Sequence, residues 1–330
     1  MSASWEPNKD FWRHRKVVVT GGTGFLGSHL VAALSDLDAD VVVVVRDDVP
    51  VGPIHQQWWS KVTRVRGDVR DQELMERVLV EAEAQTVLHL AAQTQVGVAN
   101  QNPVSSFDSN IRGTWALLEA VRRSPLVQQT VVASSDKAYG TQPVLPYTEA
   151  MPLSALHPYD VSKAAGDMIA ASYAHSFDVN VTVTRCGNFY GPGDTNWERL
   201  FPGIIRMLLN GQAPIIRSDG TLTRDYLYVE DGASSYLQTA EVMAEKPELA
   251  GEAFNFSAER PLTVLEVVAL MQEAVGTDFK PDVRATASGE IPHQYLSAEK
   301  ARAVLGWAPK YTFEEGLALT VAWYKATLGG

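Results

Sequence analysis

The stretch Lys16-Val17-Val18-Val19-Thr20-Gly21-Gly22-Thr23-Gly24-Phe25-Leu26-Gly27 decides the fold. Its β-branched run reads as a buried strand. The strand feeds straight into three evenly spaced glycines, and Phe25, Leu26, Leu30 and Leu34 then recur at helical spacing. Strand, glycine turn and helix, in that order, bring backbone N–H groups and the positive helix end towards a pyrophosphate. Gly21 then permits the turn, Gly24 the close approach, and Gly27 tight packing of helix on strand. The G-x-x-G-x-x-G spacing is one residue longer than the G-x-G-x-x-G dinucleotide fingerprint, and the flanking strand and helix give it its meaning.

Downstream the pattern repeats. Asp40–Val45 is a second strand ending at Arg46 and Asp47. An acid there suits the ribose of NAD and an arginine the extra phosphate of NADP. Arg46 comes first, which tips the reading towards NADP, with a solvated turn of mixed charge as the plain alternative. Residues 62–66 are a third strand, followed by Asp68, placed to meet the adenine amino group, and Val69. Residues 71–84 form an amphipathic helix carrying Leu74, Val78, Leu79 and Ala82. Residues 86–90 form a fourth strand ending at Leu90 and running into Ala91, Ala92 and Gln93, where small residues let a cofactor cross the sheet edge. One long helix is expected over Pro103–Arg123, with Asn110 polar inside it, either exposed or holding a water or backbone group near the site. This alternation predicts an α/β fold with a doubly wound parallel (Rossmann) sheet and ligands at the carboxyl ends of its strands.

The chemistry concentrates after the next strand, Gln129–Ala133. Ser135, Asp136 and Lys137 follow it directly, and Tyr159 and Lys163 open a helix behind Pro158. A Tyr and a Lys four apart share one helix face. An ammonium beside a phenol is expected to lower the phenol pKa, and Ser135 to share its substrate oxygen. Alone, Tyr-x-x-x-Lys is more often a surface pair, and Ser-Ser-Asp a turn or cap. Their combination with the glycine loop favours a site.

At 330 residues the chain holds one large domain or two modest ones. The expected division is a dinucleotide-binding domain over residues 1–185, rejoined by part of 223–255. Residues 186–222 and 256–330 form a smaller mixed α/β lobe that closes over substrate. Thr263 with Glu266 and Thr312 with Glu315 are capping boxes in that lobe. A net charge of -11 argues against nucleic acid. Cys186, the sole cysteine, excludes an internal disulfide and reads as a buried structural residue in a cytoplasmic protein. Scattered histidines predict no metal, the first residues show no leader pattern, and no apolar run is long enough for a membrane span. The helices over 103–123 and 159–177 are the expected homodimer surface, with cover of the sheet within one subunit as the alternative use of their apolar residues.

In order along nearly the whole chain, Gly21–Gly27, His89–Gln93, Asn110–Thr114, Tyr159-x-x-x-Lys163, Arg185-x-Gly-Asn188 and Arg224-Asp225-Tyr226 resemble the extended short-chain dehydrogenase/reductases. Within them the resemblance is to nucleotide-sugar epimerases and dehydratases. Ser135-Asp136-Lys137 looks like the CDP-glucose branch of the 4,6-dehydratases; 4-epimerases carry small or neutral residues there. The resemblance implies a tightly bound NAD or NADP held by Gly21, Thr23, Gly24, Phe25, Leu26, Gly27, Arg46, Asp68, Val69, Leu90, Ala91, Ala92, Gln93, Asn110, Tyr159 and Lys163. It implies a nucleotide-diphosphate hexose held by Gln93, Ser135, Asn188, Arg199, Arg217 and Arg224, because the guanidinium fork suits phosphate. Catalysis would fall to Ser135, Asp136, Lys137, Tyr159 and Lys163. The expected reaction is 4,6-dehydration with internal recycling of the cofactor, and 4-epimerisation is the alternative.

Overall fold

In the computed structural model, residues 5–47, 56–286 and 291–329 are described. The strands are β1 (Lys16–Thr20), β2 (Asp40–Val45), β3 (Thr63–Arg66), β4 (Thr86–His89), β5 (Gln129–Ala133), β6 (Val181–Cys186), β7 (Asn188–Tyr190), β8 (Ile215–Ile216), β9 (Thr223–Tyr228), β10 (Ala253–Phe256), β11 (Pro261–Thr263), β12 (Asp282–Val283) and β13 (His293–Gln294). The main helices are α1 (Phe25–Asp36), α2 (Gln72–Glu81), α3 (Gly113–Arg123), α4 (Pro158–Phe177), α5 (Leu200–Leu209), α6 (Val229–Glu245), α7 (Val264–Val275) and α8 (Phe313–Leu328).

Seven strands form one sheet in the order β10-β6-β5-β4-β1-β2-β3, and all its neighbours are parallel. Its valines are buried on both faces, as a parallel sheet covered by helices requires. Val18, Val44, Val87 and Val132 face Leu74, Leu117 and Val121 of α2 and α3. Val17, Val19, Val43 and Val131 face Leu30 and Leu34 of α1, together with Tyr236 and Leu237 of α6. The alternation along β1 therefore serves two cores. Each fully buried aliphatic side chain contributes roughly 1.5–3 kcal/mol.

The expected single helix over 103–123 is interrupted. Residues Pro103–Phe107 are α-helical, Asp108–Arg112 form a π turn, and α3 follows. The apolar period runs through the insertion, so the extra residue left no mark on it. Strand β10, which extends the sheet beyond β6, is a further addition to the expected elements.

The C-terminal lobe is built on β9, which pairs antiparallel with β11 and parallel with β7 and β13. Tyr190, Phe201, Ile204, Val267, Met271 and Leu317 form its core. Both expected capping boxes close, at Thr263/Glu266 on α7 and Thr312/Glu315 on α8. Among the described residues no helix is long and apolar enough to cross a membrane.

Candidate active site

A single cavity of about 1600 Å³ runs along the carboxyl ends of the strands and beneath the C-terminal lobe. Single-ligand pockets occupy roughly 300–1,000 Å³, so this one has room for two extended molecules. Gly21, Thr23, Gly24, Phe25, Leu26, Gly27, Arg46, Asp68, Val69, Leu90, Ala91 and Ala92 line one end. Ser135, Asp136, Lys137, Tyr159 and Lys163 line its middle, and Asn188, Arg199, Arg217 and Arg224 the other end.

The glycine loop fits a dinucleotide. Gly21 has φ 72, and a Cβ there would stand 2.6 Å from the Ala91 nitrogen. A Cβ on Gly27 would strike the Gly21 carbonyl oxygen, so Gly27 relieves the turn itself; it was expected to serve helix–strand packing. Helix α1 starts at Gly24 with no side-chain cap, leaving its first N–H groups for an anion. Asp68 is held by Arg70 through Nε at 3.0 Å and NH2 at 2.8 Å, and that guanidinium lowers the carboxyl pKa. Arg46 Nε donates to Asp47 at 2.7 Å, so the residue expected to favour an extra phosphate already carries a counter-charge.

Gln93 and Asn110 do not line the cavity. The Gln93 N–H donates to Asn110 Oδ1 at 2.7 Å, and Asn110 Nδ2 donates to the Gln93 carbonyl at 3.0 Å and to Ser162 Oγ at 2.8 Å. Asn110, buried in the π turn, thus holds a backbone group: it clamps the loop after β4 to helix α4. Behind that loop, His89 bridges Thr20 and Thr114, and burial pushes its pKa down to about 3, so it is a neutral structural imidazole.

The Tyr–Lys pair departs from its expected electrostatics. Lys163 Nζ donates to the Ala133 carbonyl at 2.9 Å, and burial pushes its pKa down to about 8. Burial, and then the nearby Asp136 carboxylate, hold the Tyr159 phenol well above its ordinary range, while Ser135 opposes them. The phenol pKa is therefore raised where a lowering is expected: burial is the largest cause, and the Lys163 amine is turned to the Ala133 carbonyl.

Ser135 Oγ donates to Asp136 Oδ1 at 2.9 Å and accepts the Lys137 N–H at 3.2 Å. Asp136 is 3% exposed, and burial raises its pKa against the pull of Lys137, Ser135 and Arg224. Buried Asp160 and Asp225 belong to the same field, each with its pKa raised first by burial and then partly by Asp136. Lys137 Nζ donates to Gln294 Oε1. Asp160 and Asp225 sit beside residues singled out from sequence. Gln294 comes from far along the chain, in the His293-Gln294-Tyr295 stretch that shares the family resemblance, but nothing local shows that it reaches Lys137.

Arg199 pairs with buried Asp194 at 3.2 Å, Arg217 pairs with Glu198 at 2.7 Å on the surface, and Arg224 donates to the Thr223 carbonyl at 2.9 Å. Cys186 is buried, and burial holds its thiol above its ordinary range.

A family model described as GDP-mannose 4,6 dehydratase matches residues 18–320. The CDP-glucose 4,6-dehydratase of Salmonella typhimurium is 30% identical over 98% of this chain and 94% of its own. The UDP-glucose 4-epimerase structure from Thermotoga maritima, with UDP-glucose, superposes at a TM-score of 0.86 with 30% identity, covering 94% of this chain and 99% of that one. The dTDP-glucose 4,6-dehydratase of Streptomyces venezuelae, with NAD bound, gives 0.85 with 28% identity over 95% and 98%. The sheet order, the glycine loop and these matches lead to one assignment: the chain belongs to the GDP-mannose 4,6 dehydratase family, among the nucleotide-sugar dehydratases and epimerases of the extended short-chain dehydrogenase/reductases.

Proposed function

We propose that this protein is a nucleotide-hexose 4,6-dehydratase acting on a CDP-glucose-like substrate. The observation that carries this reading is Asp136, a buried acid with a raised pKa, flanked by Ser135 and Lys137 in the cavity wall. Burial that disfavours the carboxylate favours the form that can donate a proton, and elimination of a hydroxyl needs a donor.

The division of labour follows from the atoms that must move. Tyr159 would act as a phenolate, the form that the Lys163 ammonium and the positive charge of a bound nicotinamide favour against the burial that raises its pKa. It takes the proton from the sugar O4 as C4 is oxidised to a ketone, with Ser135 on the same oxygen. NAD, when bound, would supply a cationic ring and a hydride acceptor between C4 and C6, regenerated within each turnover. The ketone acidifies the C5 proton, which Lys137 removes in its neutral form. Asp136 gives its proton to the departing O6, which leaves as water, and a proton returned to C5 completes the 4-keto-6-deoxy sugar. The net change is loss of one water. Lys163, buried behind Tyr159, holds charge near the phenol. Residues 1–185 with part of 223–255 carry the cofactor, and 186–222 with 256–330 carry the nucleotide sugar, Arg199, Arg217 and Arg224 gripping its phosphates and Asn188 its nucleotide end.

Asp47 beside Arg46, and the NAD in the Streptomyces enzyme, support NAD over NADP. Trp115 and Met168 are exposed on adjacent helices α3 and α4, which supports pairing of two copies through that face; sedimentation of Met168→Glu tests it. The second reading, 4-epimerisation, is favoured by the engagement of Asp136 with Ser135 and of Lys137 with Gln294, which suits binding roles. Incubation with CDP-, UDP-, GDP- and dTDP-hexoses, followed by mass, separates the two. Loss of one water from one substrate supports the dehydratase; an isomerised sugar of unchanged mass contradicts it.

A further inference from the structure

We propose that Gln294 is the positioning residue that aims the Lys137 amine at the C5 proton. The inference rests on the dehydratase reading and deepens it. Gln294 is 0% exposed, and its side-chain amide spans the Asp136–Lys137 turn. Its Oε1 accepts from Lys137 Nζ, and its Nε2 donates to the Asp136 carbonyl at 3.1 Å. A flipped amide would set N–H against the amine donor and oxygen against the carbonyl, so the two contacts together select one orientation.

The backbone that delivers Gln294 is fixed on both sides. His293 and Gln294 pair with Thr223 and Arg224 of β9. Just beyond, the Tyr147 N–H donates to the Tyr295 carbonyl and the Ser297 N–H to the Tyr147 carbonyl, both at 2.9 Å. One end of the segment is therefore held by the C-terminal lobe and the other by the loop that follows the Asp136–Tyr139 turn. An amine on four rotatable bonds loses much freedom when a buried amide holds its tip. The amide oxygen accepts from an ammonium and from a neutral amine alike, so the grip persists when the proton leaves.

The test separates two half-reactions in the NAD-loaded protein. Reduction of the bound nicotinamide by substrate reports oxidation at C4. Solvent-deuterium exchange at C5, with water loss, reports the Lys137 step. For Gln294→Met, similar in size and lacking both polar contacts, C5 exchange is expected to fall about 10²-fold while C4 oxidation is retained. Gln294→Glu, which keeps an oxygen for Lys137, is expected to recover part of the loss and remains a usable probe if the Met variant fails to fold. Equal loss of both half-reactions, or loss of neither, overturns the inference while the dehydratase reading stands. A wild-type protein that isomerises a nucleotide sugar without losing water overturns that reading and this inference with it.

Discussion

Ser135 donates its hydroxyl proton to Asp136 Oδ1 at 2.9 Å, inside a wall where burial raises the carboxyl pKa. The serine thus touches the proposed acid as well as lying beside Tyr159. Since the acid must carry its proton to act, water loss should show an alkaline limb, falling as pH climbs through the raised pKa. Asp136→Asn should remove that alkaline limb and slow water loss by about 10²–10⁴-fold, measured by product mass across pH. Persistence of the limb in the variant would assign it to another group.

Tyr159→Phe keeps the ring and deletes the hydroxyl. Turnover is expected to fall by about 10²–10⁴-fold with cofactor content unchanged. Steady-state rates and the absorbance of the purified protein check the two halves separately.

Asp225 is buried, accepts a hydrogen bond from Ser257, and has one oxygen with no partner among the described residues. Burial pushes its pKa from 3.8 up to about 6. A raised acid pKa means that the folded state binds the proton more tightly than the unfolded one. Its contribution to stability is therefore full below the unfolded value and is lost as pH rises through about 6. Asp225→Asn, permanently neutral, should be more stable than wild type by about 1–3 kcal/mol at about pH 8, with the gain shrinking in acid. Urea titrations at two pH values decide it.

Arg185 grips Asp167 at 2.7 and 2.8 Å and also donates to the Tyr139 hydroxyl at 2.8 Å, all of it buried. Tyr139 ends the turn that carries Asp136 and Lys137. Asp167→Ala leaves a buried guanidinium without its anion and should cost about 3–5 kcal/mol in denaturant unfolding.

The fold was legible wherever a local rule sets it. The run Lys16–Gly27 marks strand, turn and helix through its β-branched residues, its glycine spacing and its helical apolar period, all of which are local. The capping boxes at Thr263 and Thr312 are equally local. The π turn at Asn110 was not legible, because one extra residue leaves the apolar period intact. Nor was the role of Gln294: the His293–Tyr295 stretch shares the family resemblance, but its contacts with Lys137 and Asp136 come only through a long return path. The Tyr159 electrostatics were not legible for a related reason: spacing gives proximity to Lys163, whereas burial, a property of the whole fold, raises the phenol pKa.

The central claim is that hydrogen leaves C4 and returns to C6 of one sugar while O6 departs. A nucleotide hexose deuterated at C4 tests it most directly, with NMR and mass analysis of the product. The account predicts deuterium at C6 of a 4-keto-6-deoxy sugar lighter by one water. Deuterium still on C4 of a sugar that keeps its 6-hydroxyl would contradict it and establish the epimerase.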